Sequence, residues 1–165
     1  MNTLTQPLRD EHKQLIPHIE KILEVADSIP EASLEQIRDG IKDVYEFLAY
    51  HLVPHAQAED VALYPIVQKV LGSPDATRTM SRDHVEVERY IEELAELWKG
   101  LSSQNYKELQ RVLYGLYALV KVHFAKEEEV YLPILEERLS PDEAKEMFEE
   151  MENAAGHAKQ AVHVH

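Results

Sequence analysis

The chain has 165 residues, of which 44% are hydrophobic and only five are glycine, and this size and composition predict a single folded domain and argue against disorder. Its 17 basic and 31 acidic residues give a net charge of −14, which disfavours binding to nucleic acid or to anionic membranes. There is no cysteine, so disulfides, thiolate zinc sites, iron–sulfur clusters and a cysteine nucleophile are excluded.

Four long segments carry hydrophobic residues at helical spacing. In chain order, the four stripes consist of Leu8, Leu15, Ile19 and Ile22; of Ile37, Ile41, Val44, Leu48 and Leu52; of Met80, Val87, Ile91, Leu94 and Trp98; and of Leu109, Leu113, Leu116, Val120 and Ile134. Turn-forming residues separate the segments at positions 28–30, 72–75 and 100–103. Short connections between long amphipathic helices predict an all-α fold, an up-down-up-down four-helix bundle over residues 1–139.

A shorter acidic helix and a tail are predicted at residues 140–165, where Ser140 can cap the helix and Pro141 can occupy its first turn. No basic and hydrophobic leader opens the chain, and the uncharged stretch at residues 112–120 is too short to span a bilayer. We therefore expect a cytoplasmic protein that binds neither nucleic acid nor membrane. We also expect a monomer or a weak homo-oligomer.

The sequence contains an internal repeat. Residues 55–60 read His-Ala-Gln-Ala-Glu-Asp and residues 123–128 read His-Phe-Ala-Lys-Glu-Glu, so a His-x-x-x-Glu motif recurs at an offset of 68 positions, and a proline follows each motif at the same offset. A weaker match, at an offset of 72 positions, relates Asp-Glu-His at residues 10–12 to Arg-Asp-His at residues 82–84. The first two helices therefore look like a copy of the last two, and a bundle built in this way places equivalent side chains around a pseudo-twofold axis.

Polar residues on the apolar stripes are candidate metal ligands. There are six of them: His12, His55, Glu59, His84, His123 and Glu127. Residues four apart share a helix face, so both members of each His-x-x-x-Glu motif point inward. A buried carboxylate is costly unless it is paired or ligated, and imidazole with carboxylate suits iron, manganese or zinc. The residues therefore predict a metal centre in which carboxylates can bridge two ions, and they leave the identity of the metal open.

This order of a histidine, a His-x-x-x-Glu motif, a second histidine and a second His-x-x-x-Glu motif resembles the hemerythrin-like (HHE cation-binding) family over residues 4–139. The resemblance implies a four-helix bundle that holds two iron ions bridged by oxo or hydroxo. Such a protein would bind or sense oxygen, nitric oxide or iron. The alternative is a di-iron enzyme that acts on hydrogen peroxide in oxidative or nitrosative stress defence, so the sequence leaves open whether the protein is an enzyme.

Three further residues stay open as contributors to the centre. His51 lies four positions before a predicted ligand and is expected on the inward face, where it could hydrogen-bond a ligand or carry a proton. Glu88 lies four positions after His84, where oxygen-carrying hemerythrins have a further histidine. For Glu88, a solvated side chain is favoured over a metal ligand. Tyr64 could provide a phenolate ligand if the helix distorts at the following proline, but packing is favoured. The remaining histidines are expected outside the centre: His18, His157, His163 and His165.

Overall fold

The computed structural model describes residues 3–162, and every regular element within that range is helical. The five helices are α1 (Gln6–Ser28), α2 (residues 34–71), α3 (Arg78–Lys99), α4 (residues 106–138) and α5 (Pro141–Val162). A short 3₁₀ turn, Ser103–Asn105, precedes α4. The predicted all-helical bundle is confirmed. The fifth helix has 22 residues, as many as α3, and so is longer than the sequence suggested.

Helices α2 and α4 are continuous but contain π-helical turns. In α2, the α-helical stretches Leu34–Phe47, Val53–Ala58 and Tyr64–Leu71 are joined by the π-helical stretches Leu48–Leu52 and Glu59–Leu63. In α4, the π-helical stretch Glu127–Tyr131 joins Tyr106–Lys126 to Leu132–Arg138. The second π turn of α2 and the π turn of α4 are 68 positions apart, so they follow the sequence repeat.

Each π turn is followed closely by a proline, at position 54, 65 or 133. A proline has no N–H to donate, and its ring clashes with the carbonyl four residues earlier, so a wider turn relieves the clash. The residue before each proline donates its N–H to the carbonyl five residues back, as Tyr64 does to Glu59. Helix α2 therefore continues through Pro54 and does not restart there. Proline permits this turn without dictating it, because α1 contains Pro17 within a regular α-helix.

Local capping fixes several helix ends. The Ser33 hydroxyl accepts the N–H of Gln36, and the Gln36 side chain accepts the N–H of Ser33, which together cap the start of α2. Gly72 ends α2 in the left-handed conformation, with φ of 65°, which glycine adopts without strain. The Ser140 hydroxyl accepts the N–H of Glu143 at the start of α5, as the sequence predicted.

Two hydrophobic cores fill the bundle. The first contains the C-terminal half of α1, the N-terminal part of α2, most of α3 and the N-terminal part of α4. The second contains the opposite ends of these helices, with Leu8, Met80 and Leu132 among its fully buried members. The predicted stripe residues lie in one core or the other, except Trp98 and Ile134, which are only partly buried.

Helix α5 packs against residues 53–63 of α2. It buries Met147 and Met151 in the second core, so this core extends beyond the four long helices. No helix among residues 3–162 is both long and apolar enough to cross a membrane.

Candidate metal centre

A polar layer separates the two hydrophobic cores, and it contains all six residues that the sequence singled out. They come from four helices: His12 from α1, His55 and Glu59 from α2, His84 from α3, and His123 and Glu127 from α4. All six are buried; His84 is the most exposed, at 7%, and both glutamates are at 0%. The up-down-up-down order of the helices places these residues at one level, although they lie far apart in the sequence.

The carboxylate of Glu59 lies at the centre of the layer. Its Oε1 atom is 2.9 Å from Nε2 of His55 and 3.7 Å from Nε2 of His12. Its Oε2 atom is 3.3 Å from Nε2 of His84 and 3.8 Å from Nε2 of His123. One oxygen therefore faces each pair of histidines.

Glu127 also spans the two pairs, through one histidine of each. Its Oε2 atom is 3.3 Å from Nε2 of His12, and its Oε1 atom is 3.4 Å from Nε2 of His123. The potential ligand atoms form two groups, each with its atoms within 4.8 Å of one another. The first group contains His12, His55, Glu59 and Glu127, and the second contains Glu59, His84 and His123. The groups share Glu59, so its carboxylate is a potential ligand common to both.

Several buried polar atoms of this layer have no hydrogen-bond partner among the described residues. They are Nε2 of His12, both ring nitrogens of His55, both oxygens of Glu59 and Oε2 of Glu127. Burial of unpaired carboxylate oxygens is strongly unfavourable, and a cation would satisfy them. Donor atoms about 2.1 Å from a common ion lie roughly 3.0–3.4 Å apart. Three of the separations above, at 3.3, 3.3 and 3.4 Å, fall in this range. The residues present therefore fit a metal centre.

The layer favours positive charge. Burial lowers the pKa of each histidine, but hydrogen bonds and charge interactions with the carboxylates outweigh this effect. They raise the pKa of His12 to about 11, of His55 and His84 to about 9, and of His123 to about 10. Burial alone would raise the pKa of Glu59, yet the neighbouring histidines, His55 first, hold it well below its usual value. The carboxylates thus stabilise a proton or a metal ion at the imidazoles.

The Nδ1 atom of each candidate ligand faces a carboxylate outside the centre. The pairs are His12 with Glu128 at 2.7 Å, His55 with Glu11 at 3.1 Å, His84 with Asp60 at 2.8 Å and His123 with Asp83 at 3.0 Å. Sequence reasoning did not assign these four acids to the site. The signal was present, because each acid is adjacent to a candidate ligand inside a repeated motif.

Tyr64 lies closer to the centre than the sequence suggested. Its hydroxyl donates to Oε1 of Glu127 at 2.7 Å and lies 3.3 Å from Nε2 of both His84 and His123. Burial, and then the charges of Glu59 and Glu127, raise the pKa of Tyr64, so the phenol keeps its proton. Tyr64 follows Glu59 by five positions, and the π turn between them places residues five apart on one face. The favoured expectation of packing alone therefore misses its polar contacts.

A small cavity of about 20 Å³ adjoins the centre on the side of the first core. One water molecule needs roughly 10–15 Å³ of such volume, so the cavity can admit one very small molecule. Apolar side chains line it together with four of the candidate ligands. The apolar ones are Leu52, Ala56, Val87, Val120 and Phe124.

Two expectations about the surroundings are settled by exposure. His51 is exposed and stacks beside Phe47, so the expectation of an inward side chain is wrong. The reason is the π turn at residues 48–52, which breaks the four-residue spacing. Glu88 is exposed and Val87 takes the inward position, so the solvated reading of Glu88 agrees with the structure.

The remaining histidines lie away from the centre or outside the described residues. His18 is exposed and stacks on Phe47, with ring centroids 4.9 Å apart. His157 is exposed on α5. His163 and His165 lie beyond residues 3–162.

Comparison with known proteins identifies the family. The model of the hemerythrin HHE cation binding domain matches residues 3–135, which include all six candidate ligands. No curated protein and no solved structure matches the chain. Because the match covers most of the chain, the protein belongs to the hemerythrin HHE cation-binding domain family.

Proposed function

We propose that the protein is a non-haem di-iron protein that binds or senses oxygen, nitric oxide or iron. The ligands are the six residues His12, His55, Glu59, His84, His123 and Glu127. The observation that carries the proposal is the pair of ligand groups that share Glu59 and leave buried oxygens unpaired. Family membership supports a bound cation. The choice of iron, in two copies, follows from the family resemblance.

The chain's own residues divide the work of such a centre. Glu59 and Glu127 would supply carboxylate ligands to the ions, and the four histidines would supply imidazole ligands. The two hydrophobic cores keep bulk water away from the layer. When bound, the iron pair supplies redox chemistry and affinity for small ligands. The apolar cavity beside His55 and His123 suits an uncharged diatomic molecule better than a larger or charged substrate.

A second candidate function is turnover of hydrogen peroxide in oxidative or nitrosative stress defence. The observation that favours it is the Tyr64 hydroxyl, which holds a proton 2.7 Å from Glu127 and close to two imidazoles. A phenol that keeps its proton in this position can donate a hydrogen bond to a small oxidant at the centre. His51, the other donor that the sequence offered, is exposed and does not contribute. The cytoplasmic location and the monomeric or weakly associated state stay predictions.

Metal analysis of the purified protein, combined with visible spectra in the presence of oxygen, nitric oxide or peroxide, tests both functions. We expect two irons per chain and a sharp loss of iron in His55→Ala and Glu127→Ala variants. His51→Ala is the matched control, because it removes an exposed histidine from the same helix as His55. One zinc per chain, or unchanged iron in the ligand variants, contradicts the proposal. Steady evolution of oxygen from peroxide selects the enzyme.

A further inference from the structure

Four acids lie just outside the centre, and each one faces a candidate ligand that belongs to a different helix. We propose that Glu11, Asp60, Asp83 and Glu128 are positioning residues. Each holds one imidazole with its proton on Nδ1, so that the Nε2 lone pair points at the metal. This inference rests on the proposed function, because it concerns how the same centre is held in place.

The four contacts form a closed ring around the bundle. Each helix supplies one acid to the histidine of the next helix, and the last helix returns to the first. In order, the contacts are Glu11 of α1 to His55 of α2, Asp60 of α2 to His84 of α3, Asp83 of α3 to His123 of α4, and Glu128 of α4 to His12 of α1. The ring therefore links all four helices at the level of the centre.

The sequence position of the acids explains the ring. Each acid is next to a candidate ligand: Glu11 precedes His12, and Asp60 follows Glu59. Adjacent residues on an α-helix point about 100° apart, so an acid beside an inward ligand faces the neighbouring helix. Asp83 and Glu128 take the corresponding positions in the second half, at the offsets of the repeat. The repeat thus contains the positioning acids as well as the ligands.

The chemical role follows from the imidazole ring. A neutral imidazole carries one N–H and one lone pair, and a carboxylate at Nδ1 accepts the N–H there. This hydrogen bond fixes both the tautomer and the orientation of the ring and makes Nε2 more basic. All four Nε2 atoms of the centre lie within 4 Å of a Glu59 oxygen, as this arrangement requires.

Three of the four acids have a second polar partner besides their histidine. Glu128 is also paired with Arg9, Asp83 is also paired with Lys126, and Asp60 also accepts the Ser81 hydroxyl at 2.6 Å. These second partners restrict the acids to the geometry that their histidines need.

The contact between Glu11 and His55 is weaker than the other three. Its side chain is 47% exposed, and Nδ1 of His55 has no well-aligned hydrogen bond within residues 3–162. Glu11 also lines a groove of about 390 Å³ beneath α5. We therefore expect Glu11 to contribute less than the other three acids.

The test measures ferrous iron affinity under anaerobic conditions, by competition with a chelator, in Asp60→Leu, Asp83→Leu and Glu128→Leu. We expect each variant to lose about ten- to hundredfold in affinity, and Glu11→Leu to lose less. Asp83→Asn retains an acceptor oxygen and should restore part of the affinity. Asp10→Leu and Glu129→Leu are matched controls, because these exposed acids neighbour Glu11 and Glu128 in the sequence.

A second readout separates positioning from general destabilisation. The readout is the ¹⁵N NMR spectrum of zinc-loaded protein with ¹⁵N-labelled histidine. The wild type should show four imidazoles protonated at Nδ1. Asp83→Leu should lose the Nδ1-protonated signal of His123. Acid variants that match the controls in affinity, or an unchanged His123 tautomer, overturn the positioning role. Failure of the wild type itself to bind two metal ions would instead overturn the proposed function.

Discussion

The two halves of the bundle, α1 with α2 and α3 with α4, carry the same candidate ligands in different surroundings. After Glu59 the π turn leads to Tyr64, whose hydroxyl reaches the centre. After Glu127 the matching π turn leads to Leu132, which is fully buried in the second core. The halves therefore agree in what holds a metal ion and differ in what can donate a proton to it. The Tyr64 hydroxyl contacts Glu127 of one ligand group and both histidines of the other, whereas the leucine at the matching position has no polar atom to offer.

A second difference lies in the helix before each His-x-x-x-Glu motif. Helix α2 has a π turn at residues 48–52, followed by Pro54. The corresponding position in α4 is Val122, inside the regular α-helical stretch Tyr106–Lys126. Both histidines that follow still point inward. The His-x-x-x-Glu motif therefore tolerates two backbone geometries upstream. The residue four positions before the histidine is placed differently in each half: His51 is exposed, and Leu119 is partly buried.

The largest expected effect compares the two glutamates. Glu59 faces all four histidines, whereas Glu127 faces one histidine of each pair. Glu59→Ala should therefore lose more metal than Glu127→Ala does. Metal analysis after dialysis measures this difference. Equal metal content in the two variants would show that Glu59 and Glu127 contribute equally to metal binding.

The next effect tests the upstream difference. Val122→Pro places a proline in a regular stretch of α4 and should lower the free energy of unfolding by about 3 kcal/mol or more. Pro54→Ala returns an N–H to α2 and should cost much less, because the π turn is already accommodated by the first core. Urea unfolding of the metal-free protein measures both, with Val122→Ala as the control for the lost side chain, which is 58% exposed. A mild Val122→Pro variant would mean that α4 can form the upstream π turn as readily as α2.

A smaller effect concerns the phenol. Tyr64→Phe removes a buried hydroxyl that donates to a carboxylate and should destabilise the metal-free protein by about 1.5–3 kcal/mol. Tyr131→Phe is the control, because that hydroxyl donates to the carbonyl of Ala76 away from the centre, and its loss should cost about 1 kcal/mol. Thermal unfolding compares the two variants. If Tyr64→Phe were as stable as the wild type, the contact with Glu127 would contribute nothing to the fold.

The smallest effects are expected at Glu88 and His51. Both side chains are exposed, so Glu88→Ala and His51→Ala should change the unfolding free energy by no more than about 0.5 kcal/mol. Both variants should keep the metal content of the wild type. Metal loss in either variant would show that an exposed side chain contributes to metal binding.

Most of the fold could be predicted from local pattern. The stripes that begin at Leu8, Ile37, Met80 and Leu109 gave the buried faces because helical periodicity and burial are directly linked. The glycine, serine and proline residues between the stripes predicted where the helices end. The convergence of the six polar residues could also be predicted, because polar groups on an apolar stripe must meet partners inside the bundle. The length of α5 and its burial of Met147 and Met151 could not, since they depend on the surface that the other helices leave open.

The sequence by itself determined the candidate ligands, because the spacing of four in His-x-x-x-Glu and the repeat are properties of the chain alone. Only the tertiary structure decided what surrounds them. The π turns place Tyr64 at the centre and His51 in solvent, and they arise from proline chemistry combined with packing that keeps the helix continuous. Likewise, the pairing of each acid with a histidine on the next helix depends on how the four helices are arranged. Helical spacing predicts which residues share a face, but only the assembled bundle decides which side chain that face meets.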